Sequence, residues 1–110
     1  MGTPKRRDAR RGKEDKMDYK PHPIDLDHIG LEPGLEKDME AIAKNIHETW
    51  AEQRRLEGWT YGETHDYKTK KHPGMVEYED LPENEKDVDR ATVLQTIKML
   101  IWMGYHIEKR

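Results

Sequence analysis

Cysteine, phenylalanine and serine are all absent from this 110-residue chain. Without cysteine there is no disulfide framework, no thiol nucleophile and no thiolate metal site. With serine missing too, the commonest nucleophiles of covalent catalysis are gone. Long apolar runs are also lacking: the longest candidate, Met99 to Met103, falls far short of the ~20 residues that a membrane helix needs. The basic N-terminus has no apolar segment behind it, so it is not a secretory signal. The expectation is a soluble, cytoplasmic chain with no cofactor.

What the chain holds instead is charge. Charged residues make up 39% of it and hydrophobic ones 33%, against roughly 25% charged in an average domain. Apolar residues must therefore be used economically, and the length allows one domain at most. The three tryptophans and five tyrosines carry unusual weight, since each large aromatic buries about 150–250 Å².

Residues 1–16 hold seven Lys/Arg against three acidic residues. Such a stretch cannot bury enough to offset its ordering entropy, so a disordered basic arm is expected, followed by a single domain over 17–110. The arm is net +4 in a chain of net −3, which leaves −7 on the rest. That asymmetry raises nucleic acid or another acidic surface as a partner. No aromatics are interleaved with the basic residues, which argues against nucleic acid and for a solvated tail.

From residue 17 the pattern becomes that of an ordered domain. Pro21 and Pro23 push their predecessors out of the helical region, so Tyr19 to Pro23 is predicted as an extended strap, with Ile24, Leu26 and Ile29 leaning on a core. Leu35, Met39, Ile42, Ile46 and Trp50 recur at steps of three and four, which predicts a helix over Glu36–Glu57 after the break at Pro33-Gly34. Gly58 suits the left-handed position just beyond it. Short strands are expected at Trp59 to Tyr61 and at Met75 to Tyr78, on either side of a polar loop. A second helix should begin loosely between Pro82 and Asp87 and tighten at Asp87 or Asp89. Its stripe is Val93, Leu94, Ile97, Leu100 and Ile101, and the acidic residues at 83, 85, 87 and 89 suit the positive end of its dipole. Gly104 ends it, and Tyr105 to Glu108 alternates as a terminal strand. The fold class is α+β, mainly α.

Candidate sites are few. His47 sits at the edge of the first stripe, three residues from Trp50, with no serine or cysteine to activate. A structural histidine fits better than a general base. Trp50 and Trp59 are core aromatics first, although either could floor a ligand cleft through its indole N–H. Six histidines suggest metal, but none of the usual helical ligand spacings occurs and no metal site is expected. The best anion site joins Arg54 and Arg55 to Lys70 and Lys71 in the loop, beside Trp59 and Tyr61.

Four segments together resemble the ryanodine-receptor repeat, the RyR domain. They are YKPHPID (Tyr19 to Asp25), NIHETWAEQRRLEGWTYG (Asn45 to Gly62), HPGMVEYEDLPENEKDVDR (His72 to Arg90) and TIKMLIWMGYHIE (Thr96 to Glu108). The resemblance covers nearly everything after residue 17, and it is to the family's single-copy bacterial or phage members. It departs at Glu77, where the family often has proline. It implies two antiparallel helices packed with short strands and an extended N-terminal strap. It also implies no catalytic residues. In the channels, paired repeats form a unit and some carry phosphorylation sites; one repeat without serine does not inherit that role. Bacterial members are associated with nucleotide-derived signals. The expected function is a non-enzymatic interaction module for a protein partner or a second copy of itself. The alternative is a sensor of a nucleotide-like anion through Trp59, Tyr61 and the cations near them.

Overall fold

The computed structural model describes residues 18–110. The arm expected at residues 1–16 lies outside them. Two helices, α1 (Pro33–Leu56) and α2 (Glu83–Trp102), dominate the fold. Between them lie two two-residue strands, β1 (Thr60–Tyr61) and β2 (Lys71–His72), and a single 3₁₀ turn at Tyr78–Asp80. No helix among the described residues is long and apolar enough to cross a membrane.

Helix α1 starts earlier than its periodicity suggests. Pro33 and Gly34 form its first turn instead of breaking the chain before it. Proline at the first helical position loses only an N–H that has no intrahelical partner anyway. At the other end Gly58 takes φ +95°, and the amides of Gly58 and Trp59 return to the carbonyls of Arg55 and Arg54. Helix α2 begins cleanly at Glu83, with no loose first turn. Gly104, at φ +105°, stops it as expected.

The helices run antiparallel: Trp50 and His47 of α1 face Glu85 and Asp89 of α2, while Asp38 near the start of α1 bonds Lys109 beyond the end of α2. The buried core where they meet is small. Ala43, Tyr78, Leu81 and Val93 are its centre, with Met39, Ile42, Ile46, Val76 and Ile97 packed around them. Fully buried Ala43 leaves room for the second helix to approach. Leu26, from the extended strap, is buried as well.

The irregular half departs from the expected strands. Met75 to Tyr78 forms no ladder: the Val76 amide bonds Gly74 O, and Tyr78 opens the 3₁₀ turn. The partner of β1 is Lys71–His72, which runs parallel to it. An antiparallel bridge between Asp66 and Lys71 closes the intervening loop. Residues 105–108 likewise join no sheet, leaving Tyr105 exposed. A two-residue parallel pair holds through close backbone approach, and Gly62 beside it has no room for a side chain. Its Cβ would collide with that of Lys71.

One polar node ties the three layers. The buried Tyr78 hydroxyl donates to Glu40 Oε2 at 2.9 Å, and Arg90 of α2 holds both Glu40 oxygens at 2.8 Å. Those bonds, from Arg90 first and Tyr78 next, pull the Glu40 carboxyl down to about 2.

Two predictions follow from these contacts. Gly62→Ala should destabilise by about 1–3 kcal/mol, as overpacking does, measured by denaturant unfolding; an unchanged midpoint would show that the strand pair yields freely. Glu40 binds protons more weakly folded than unfolded, so the stability it contributes is complete above about 4.5 and lost as pH falls toward about 2. Acid unfolding of Glu40→Gln should lack that loss, and a wild-type acid limb superimposable on the variant's would contradict it.

Candidate functional site

The joint between α1 and the loop brings Arg54 and Lys70 beside Trp59, which stands in a half-exposed run of rings. Trp59 packs edge-on against His65 at 5.4 Å and Tyr67 at 5.7 Å between ring centroids, with His72 at 6.2 Å. His65 in turn stacks on Tyr67 at 4.4 Å and lies 4.4 Å from His72. His72 then meets Trp50 edge-on at 4.9 Å. This run of half-exposed rings packs a loop that has almost no aliphatic residues.

The basic side chains around it hold oxygens of the chain itself. Lys70 Nζ donates to the Glu57 carbonyl at 2.6 Å, and Lys71 Nζ to Thr60 Oγ1 at 2.8 Å. Arg55 grips both oxygens of Glu52, and Arg54 reaches Glu57. Cations here suit the negative end of the α1 dipole, where terminal carbonyls lack helical partners. Lys70 can reach Glu57 because its own backbone is left-handed, at φ 56°. Asp66 shapes the turn by accepting from the amides of Lys68 and Thr69. Tyr61 stands apart, 53% exposed. The structure thus brings Arg54, Trp59 and Lys70 together around a helix end, while Tyr61 presents a free ring.

His47 bridges α1 and the irregular segment. It is 4% exposed, and its Nε2 lies 2.7 Å from the Val76 carbonyl. A carbonyl only accepts, so Nε2 carries the proton and donates. This bond holds the irregular segment against α1. The ring also stacks on Trp50 at 5.7 Å.

His47 and Trp50 have a second, unexpected setting. Together with Gly74 and Leu81 they form one side of a cleft of about 250 Å³, and Glu85, Val88 and Asp89 of α2 form the other. Burial pushes the Asp89 carboxyl up, with the Glu85 charge adding to it and the His47 ring opposing it. The i, i+4 spacing of Glu85 and Asp89 was visible in the sequence; that the wall opposite them would be His47 and Trp50 was not. A larger groove of about 400 Å³ lies between the strap and α2, lined by Pro23, Ile24, Leu26, Met99 and Leu100 among others, with no charged group. Among the described residues, no three His, Asp or Glu side chains converge closely enough to hold a metal ion.

These features define a class: a small, mainly α, two-helix module with an aromatic joint at one helix end and an acidic interhelical cleft. A family model described as the RyR domain matches residues 19–109. The chain belongs to the RyR domain family.

His72 gives the joint a pH dependence. Its Nδ1 accepts the Gly74 amide at 2.8 Å, a bond that a protonated ring cannot make there. Burial first, then the neighbouring His65, lowers its pKa below 6.5, with Glu85 opposing. A base whose folded pKa is depressed contributes stability in full above the unfolded value and loses it as pH falls through the folded one. The His72 ring should therefore titrate below 6.5 by NMR, with amide protection factors in residues 63–73 falling over the same range. A midpoint at or above 6.5 would contradict this.

Proposed function

We propose that this chain is a non-enzymatic recognition module that binds a protein partner, a second copy of itself included. One observation supports the reading above others. The cleft between α1 and α2 is part-enclosed, has an indole wall, and presents carboxylates that have no partner among the described residues. Glu83 and Asp87 on α2, by contrast, pair with Lys86 and Arg90. A cleft built at the contact of the two main helices is positioned to receive a group from outside. Membership of the RyR domain family agrees with an interaction role. Nucleotide binding through Trp59 and Tyr61 draws less support, because Arg54, Arg55, Lys70 and Lys71 already hold oxygens of the chain itself.

The absence of cysteine makes the cleft easy to probe. Val88 on its rim is 62% exposed, so Val88→Cys provides a unique handle for a photo-crosslinker. In an extract of the native host, this variant should yield a discrete crosslinked product, with a partner or a second copy, that Lys68→Cys on the loop does not. Uncrosslinked monomer from both variants would remove the proposal.

A further inference from the structure

We propose that His72 is a proton switch for the cleft between α1 and α2. While its ring is neutral it holds the Gly74 edge of the cleft in place, and a proton on the ring releases that edge. The proposal concerns regulation of the site named above, and it rests on the recognition reading only for what the switch controls.

One wall of the cleft hangs from a single row of bonds. His72 Nδ1 accepts the Gly74 amide at 2.8 Å, and the Gly74 carbonyl accepts the Val76 amide at 2.8 Å. The Val76 carbonyl then lies 2.7 Å from His47 Nε2. Gly74 and His47 both line the cleft, so the row runs from the aromatic joint into the site. His72 also meets a third lining residue directly, since its ring stands edge-on to Trp50 at 4.9 Å. Gly74 is wedged between those two rings: a Cβ there would lie 3.0 Å from His72 Nδ1 and 3.3 Å from the indole of Trp50. With so little slack, a shift of the imidazole or of Gly74 is passed on to the indole.

The chemistry of the first bond makes it a switch. A neutral imidazole has one bare nitrogen that can accept an N–H, whereas an imidazolium carries hydrogen on both and only donates. Turning the ring over does not restore the bond, because either nitrogen then aims a hydrogen at the Gly74 amide. The groups facing His72 set when this happens. From the loop, His65 lies 4.4 Å away between ring centroids, with Tyr67 stacked on it. Arg54 acts from α1 and Glu85 from α2, and β1 places Tyr61 in register with His72. Burial, His65 and Arg54 disfavour the proton, and Glu85 favours it. Glu85 lines the cleft itself, so the switch and the site share a charged group.

A pH titration of the full chain by NMR tests the switch. It follows the His72 ring, the amide protection factors of Gly74 and Val76, and the NOE between the Trp50 ring and Gly74. Protection at Gly74 should fall roughly fivefold, as loss of one hydrogen bond implies, and the NOE should fade with the midpoint of His72. His65→Asn should raise that shared midpoint, and Glu85→Gln should lower it. His72→Asn, whose side-chain carbonyl accepts but takes no proton, should abolish the transition at Gly74. Protection and NOE that persist while His72 titrates, or that follow a different midpoint, would overturn the switch. So would a His72 that stays neutral until the protein unfolds in acid. The Val88→Cys crosslink separates this claim from recognition. Its product should be lost below the midpoint and retained there when His72→Asn is added. A product indifferent to pH overturns the control of recognition by His72. No product at any pH removes the recognition reading and leaves the coupling seen by NMR standing.

Discussion

The fold depends on the burial of Tyr78 between two helices with its hydroxyl satisfied. A buried phenol needs an acceptor, and leaving one unmade costs on the order of 1–3 kcal/mol. Glu40 supplies the acceptor and Arg90 fixes Glu40 from the opposite helix. Lys86 adds its ammonium over the same ring, 5.6 Å from the centroid. In a chain with so few apolar residues, this node does what additional leucines do elsewhere. It anchors the 3₁₀ turn against both helices. From there the chain runs back to Val76, whose carbonyl meets His47, and to Gly74, which edges the cleft. The cleft is therefore a consequence of how Tyr78 is held.

Much of the helical half was legible in the sequence because its signals are local. The three-and-four spacing from Met39 to Trp50 marks the buried face of α1, and Gly58 and Gly104 end the helices at positive φ as glycines are suited to do. The strands were less legible. Val76 and Tyr78 look like strand residues, but the backbone of Val76 is claimed by His47, 29 positions away. Lys71–His72 has no apolar alternation at all. It pairs with β1 because Asp66 and the left-handed Lys70 turn the chain back, and neither feature has a hydrophobic signature.

The candidate site shows the same division. Clustering of Arg54, Arg55, Lys70 and Lys71 was readable as a basic patch. Their partners were not, because a lysine reaching a carbonyl 13 residues earlier leaves no trace in composition. Conversely, Glu85 and Asp89 read in the sequence as charges favouring a helix start. Their significance comes from facing His47 and Trp50 across a helix pair. The many exposed ion pairs each contribute little to stability, roughly 0–1 kcal/mol apiece.

A crystal structure of the Glu40→Ala variant tests most directly whether the Tyr78 node builds the cleft. If it does, the 3₁₀ turn shifts off α1, Val76 and Gly74 move with it, and the bond from His47 to Val76 O is lost. A variant that keeps that bond and the cleft unchanged would contradict this dependence.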